Sequence, residues 1–93
     1  MPRPTRPAPN EGAESTWPAS RMSDPVHEAH RRFVVNLRQA LGDMSIRKAG
    51  EVTGVDRGTL QALLDGRSWV DAYALAKLEQ AFERTLWPGY FED

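Results

Sequence analysis

Ser45-Ile46-Arg47-Lys48-Ala49-Gly50-Glu51-Val52-Thr53-Gly54-Val55-Asp56-Arg57-Gly58-Thr59-Leu60-Gln61-Ala62-Leu63-Leu64 is the stretch that decides the fold. Ser45 and Asp56 are helix-capping types: a short side-chain oxygen accepts from a free backbone N–H of the first turn. A helical segment follows each, and Thr53-Gly54-Val55 interrupts the pattern between them. Two short helices joined by a short turn with glycine make a helix-turn-helix. Its packing needs a small residue where the helices approach, a glycine in the turn and an apolar residue after it. Gly50, Gly54 and Val55 supply these. Leu60, Leu63 and Leu64 form the buried face of the second helix. Gly58, Gln61, Ala62 and Asp65 are then expected on its outer face, with Arg57 at its tip.

Outward from this unit the periodicity stays helical. Asp24 and Pro25 suit an N-cap and a first helical position, and they open a helix over Pro25–Leu41 closed by Gly42. Val26, Ala29, Phe33, Val34, Leu37 and Leu41 are its inward stripe. A further helix begins at Asp71, carries Ala72, Leu75, Leu78 and Phe82 inward, and stops before Pro88, with a short turn around Arg84 to Trp87. The sequence thus predicts an all-α fold, a compact bundle of four to five helices. No repeat or heptad pattern is present. Residues 24–93 form this domain, with a short aromatic C-terminal tail. Trp69 and Trp87 are expected to close the core, and Trp87-Pro88-Gly89-Tyr90-Phe91 is a second candidate, as a dimer contact.

Residues 1–23 hold five prolines and, apart from Trp17, almost no large apolar residue. Such a composition does not offset the entropy of ordering, so a disordered tail is expected, dispensable for folding up to residue 21. Arg3 and Arg6 in it are candidates for a flexible arm. Met22 is a second plausible start just before the first helix. With 93 residues there is room for one domain, and with no cysteine there is neither a disulfide nor a thiolate metal site. No apolar run approaches the ~20 residues of a membrane span, and the N-terminus has no signal-peptide pattern. A soluble, cytoplasmic protein is expected. His27 and His30 lie one helical turn apart without a third ligand nearby, and they read as a solvated face. No phosphate loop, nucleophile elbow or paired-carboxylate motif is present, so neither an enzyme, a cofactor nor a small-molecule ligand is expected.

The net charge is −1, with the acidic excess in the last quarter. Arg47, Lys48, Arg57 and Arg67 lie instead in or beside the helix-turn-helix.

Residues 44–66 resemble the Xre/Cro (lambda-repressor-like) family of bacterial and phage regulators. Thr53-Gly54-Val55, Thr59-Leu60 and Asp65-Gly66 carry the resemblance, and Leu75-Ala76-Lys77-Leu78-Glu79-Gln80-Ala81 is similar to that family's fourth helix. Gly50, Asp56, Gly58, Ala62 and Asp65 depart from its usual pattern. The resemblance implies sequence-specific binding of double-stranded DNA and repression of transcription. A homodimer on two-fold DNA is the implied assembly. Candidate base contacts are Arg57, suited to guanine, Gln61, suited to adenine, and Gly58 and Ala62. Candidate backbone contacts are Ser45, Arg47, Lys48, Thr59, Arg67 and Ser68. For Arg57 a contact to phosphate alone stays open. A second function class also stays open, a protein-interaction module on the same fold, antitoxin-like or phage accessory, favoured by Gly58, Ala62, Asp65 and the neutral total charge.

Overall fold

Each helix starts at a capping side chain. Asp24 Oδ1 accepts from Val26 N at 2.8 Å, Ser45 Oγ from Lys48 N at 3.1 Å, Asp56 Oδ2 from Thr59 N at 3.2 Å and Asp71 Oδ1 from Ala74 N at 2.7 Å. These bonds satisfy donors that helix geometry leaves without a partner. The computed structural model describes residues 6–13 and 16–89, and among them the helices are α1 (Pro25–Leu41), α2 (Ile46–Thr53), α3 (Arg57–Leu64) and α4 (Ala72–Phe82), with no strand. The fold is an all-α bundle. The expectations for Arg3, Tyr90 and Phe91 lie outside the described residues.

The core joins Phe33, Val34, Leu37 and Leu41 of α1 to Ala49 of α2, Val55 of the turn, Leu60 and Leu63 of α3, and Leu78 of α4. Of the residues expected to face inward, Leu64, Leu75 and Phe82 are partly buried against this core, whereas two are exposed: Val26, at 56%, and Ala72 at the start of α4. Both stand in first turns that project beyond the packed middle of their helices, and on α4 it is Ala74 that turns inward.

The turn expected around Arg84 to Trp87 comes earlier, at Glu83, which takes the left-handed conformation at φ 51° while Arg84 N donates to Glu79 O; residues 85–87 are irregular. The chain then returns across the bundle. Leu86 is fully buried, its N–H donates to Glu79 Oε2 at 2.7 Å, and its carbonyl accepts from Asn36 Nδ2 at 2.8 Å.

The N-terminal segment is not the disordered tail that its composition suggests. Its described residues pack on the bundle as a strap. Asn10 N donates to Gly66 O at 3.0 Å and Asn10 Nδ2 to Asp65 O at 3.0 Å. Trp17 Nε1 donates to Leu64 O at 3.0 Å, and Trp69 Nε1 donates to Pro7 O at 2.7 Å. Pro9 is fully buried, Met22 is buried, and Trp17 packs against the core. The prolines that argue for disorder also make the segment cheap to order, because they restrict the unfolded chain. Arg31 fastens the strap's far end, donating to Pro18 O at 2.9 Å while paired to Glu28 at 2.6 Å.

His30 also departs from expectation. It is fully buried rather than solvated, and its Nε2 accepts from Val70 N at 2.9 Å. The ring lies edge-on to Phe33, Trp69 and Trp87, with centroids at 5.3, 5.0 and 6.1 Å. These aromatics remove it from water and so disfavour the imidazolium. Burial first, and the neighbouring His27 second, pull its pKa from 6.5 down to about 4.

Two predictions follow from this packing. Gly66 has φ +77°, and a Cβ there meets Trp17 Cε2 at 2.6 Å and Asn10 Cβ at 2.7 Å. Gly66→Ala, and a chain beginning at Met22, should each lower stability by roughly 2 kcal/mol, or about 10 °C in Tm; melting within a few degrees of the full chain refutes a packed strap. Acid should also destabilise. Between 6.5 and about 4 the unfolded imidazole binds a proton that folded His30 does not, so stability falls as pH drops through that window, by up to about 3 kcal/mol. Urea midpoints across it should flatten in His30→Gln.

Candidate nucleic-acid interface

The turn between α2 and α3 is fixed by side chains of its own sequence. Thr53 Oγ1 donates to Ala49 O at 2.7 Å and accepts from Val55 N at 3.1 Å, so one buried hydroxyl bonds both sides of the break. Gly54 takes φ 74°, a conformation that costs other residues strain. Val55 drops into the core, and Asp56 caps α3. The connection is Gly54-Val55-Asp56, three residues, as a helix-turn-helix requires. Lys77 of α4 donates from Nζ to Gly54 O at 3.1 Å, placing a cation at the end of α2 where the helix dipole is negative.

With Leu60 and Leu63 held in the core, the opposite face of α3 is open. Arg57, Gly58, Thr59 and Gln61 are exposed on it. Ala62 is not. It is 9% exposed, and its carbonyl accepts from Arg67 N at 2.9 Å and from Ser68 N at 3.3 Å. The chain leaving α3 thus folds back onto the end of the helix, and the burial of Ala62 removes it from the candidate base contacts. The same fold-back sets Arg67 and Ser68, both exposed, at that end of α3.

Ser45, Arg47 and Lys48 are exposed at the start of α2. Arg47 lies 3.9 Å from Glu51, with side chains 79% and 60% exposed, a pair too solvated to hold the guanidinium firmly. Arg57 lies back over α2, its Cγ 3.0 Å from where a Cβ on Gly50 would stand, so reaching a base edge requires its side chain to swing outward. Gly50 therefore makes room for an arginine stem as well as for helix approach. Asp65 Oδ1 accepts from Gln61 Nε2 at 3.0 Å, and its Oδ2 accepts from Arg67 Nη2 at 3.2 Å.

The sequence reading missed Arg38. It is exposed on α1, donates from Nη2 to Leu64 O at 3.1 Å, and borders a shallow depression together with Gln61. Periodicity marks Arg38 as outward-facing, but which helix end it meets depends on how α1 packs against α3. Arg47, Arg57, Glu51 and Asp56 line one depression beside the start of α3, and Arg38 and Arg67 stand with Asp65 near its end. Among the described residues no group of three histidines or carboxylates is placed to hold a metal, and no helix is long and apolar enough to cross a membrane. His27 Nδ1 lies 3.0 Å from Pro9 O, within the strap contact.

No family model, curated protein or solved structure matches this chain.

Replacing Gly50 tests the packing at the turn. The atom nearest an added Cβ belongs to the flexible, exposed Arg57, so Gly50→Ala should recover helix propensity and raise stability by about 0.5–1 kcal/mol. A larger side chain, Gly50→Leu, should lower it. Denaturant midpoints of the two variants check this.

Proposed function

We propose that this protein binds double-stranded DNA, with α3 lying in the major groove and α2 and the Arg67–Ser68 segment on the flanking phosphates. By occupying a promoter it represses transcription. The observation that carries this reading is the open face of α3. Exposed groups able to donate to bases, Arg57 and Gln61, stand on it, and cations border it at both ends: Arg47 at one, beside Asp56 and Arg57, and Arg38 and Arg67 at the other; Lys48 is exposed one residue beyond Arg47. Cations at the two sides of a groove neutralise phosphate and set register, while side chains between them read bases. Gly58 lets the backbone come close. A single helix reads few base pairs, so two copies on a two-fold site are proposed, with half-sites about one helical turn apart. The Xre/Cro resemblance supports the same reading.

A protein-interaction role is the second reading. Asp56 and Asp65, at opposite ends of α3, favour it, because each sets a negative charge beside the surface that phosphate would approach.

Reading and holding separate in a salt titration. Arg57→Ala should cost about 1–3 kcal/mol on a site selected from random DNA and flatten the preference at one base position. Arg47→Ala should weaken selected and random DNA alike and reduce the log–log salt slope by about one unit. Equal base preference in Arg57→Ala removes Arg57 as the reader. Absence of any salt-dependent binding by the wild-type chain rejects the DNA reading in favour of a protein partner.

A further inference from the structure

Asp65 touches two side chains of the proposed reading surface. Its Oδ1 accepts from Gln61 Nε2 at 3.0 Å, and its Oδ2 accepts from Arg67 Nη2 at 3.2 Å and Nε at 3.4 Å. An ionised carboxylate only accepts hydrogen bonds. The Gln61 amide must therefore turn its nitrogen toward Asp65 and its oxygen away. An exposed glutamine with no such partner can present either end of its amide to a base.

The backbone beneath the carboxylate is also fixed. Asp65 N donates to Gln61 O at 2.9 Å, and Asp65 O accepts from Asn10 Nδ2 of the strap at 3.0 Å. Trp17 stands against the next residue, Gly66. The carboxylate thus projects from a main chain held on both sides, and it favours one orientation of the amide before any partner arrives.

Resting on the DNA-binding reading, we propose that Asp65 is a positioning residue that tunes base specificity: it biases Gln61 so that Oε1 and one N–H face outward, the pair that adenine requires. The major-groove edge of adenine offers the N6 donor beside the N7 acceptor. Guanine offers two acceptors, N7 and O6, and thymine offers O4, so each confronts the outward Oε1 unless the amide rotates off Asp65. Cytosine offers a donor without the neighbouring acceptor. The negative charge of Asp65 weakens attraction to phosphate whatever the sequence. Asp65 therefore exchanges general affinity for discrimination at one position. Its exposed ion pair with Arg67 is weak enough for phosphate to displace.

The test is selection of binding sites from random duplex DNA by the full-length protein and its variants, followed by salt titrations on selected and random duplexes. Asp65→Ala removes both the acceptor and the charge; adenine preference at one position should fall by about twofold while affinity for random DNA rises. Asp65→Asn loses the charge and can donate to Gln61 as well as accept from it, so it no longer favours one end of the amide; it should bind random DNA more tightly and lose the preference as Asp65→Ala does. Gln61→Ala should abolish the same preference, and adding Asp65→Ala to it should change that preference no further. Melting temperatures show whether each variant is folded. If Asp65→Ala is not, Asp65→Lys, which cannot accept from Gln61, is expected to lose the preference in its place. Full adenine preference in Asp65→Ala overturns the proposal while DNA binding stands, and so does full preference in Asp65→Asn. A wild-type chain that binds no DNA overturns the functional reading, and the proposal with it.

Discussion

The buried hydroxyl of Thr53 is the constraint on which the rest of the molecule turns. It bonds Ala49 O behind it and Val55 N ahead of it, so the chain leaves α2 without orphaning its polar groups in the core. Gly54 can then reverse the backbone, and Val55 fills the space that the reversal opens. The direction of α3 is thereby set. Leu60 and Leu63 face inward as a consequence, and the open face of Arg57, Gly58, Thr59 and Gln61 is what remains. Lys77 ties α4 to the same turn through the carbonyl of Gly54. An unpaired group at this point leaves a buried polar atom, a far larger penalty than the loss of an exposed bond.

Both ends of the described chain reinforce this arrangement from outside. The strap docks on Leu64–Gly66 and on Trp69, where α3 ends, and the return segment puts Leu86 into the core between α1 and α4. Four short helices alone bury little surface, as expected for so small a domain. Trp17, Pro9 and Leu86 add to the core from residues outside the helices. The aromatic cage around His30 belongs to the same closure: Trp69 contacts both the imidazole and the strap. Fold and candidate site thus share their supports at the end of α3.

What the sequence disclosed follows the range of the interactions. All four helices, their caps and the turn were legible, because capping is decided within three residues and the apolar period within one element. Ala62 was misjudged because a helical wheel knows nothing of the chain that follows. Arg67 and Ser68 return to its carbonyl by backbone bonds that no periodicity encodes. His30 looked solvated because its burial depends on Trp69 and Trp87, far along the chain. The strap was hidden for the same reason: its partners at Leu64 and Trp69 lie 47 to 62 residues away. The exposed positions Gly58 and Gln61, with Arg57 at the tip, were legible from the leucine pattern, which also set Ala62 outward against the structure. The link between Gln61 and Asp65 lies at helical spacing and was within reach of the sequence.

The strap has a consequence for the order in which the molecule assembles. Residues 6–22 are made early, yet their docking surface at Leu64–Trp69 does not exist until most of the bundle has been synthesised. Closing contacts of such separation costs more chain entropy than forming a helix–turn–helix from neighbours, so the strap joins last. Until then it must wait without collapsing on itself or on other chains. A segment of prolines and polar residues with a single tryptophan is suited to waiting. The composition that resembles permanent disorder is also what a late-docking segment needs, and Trp17 is the one large aromatic group it holds in reserve for the final contact.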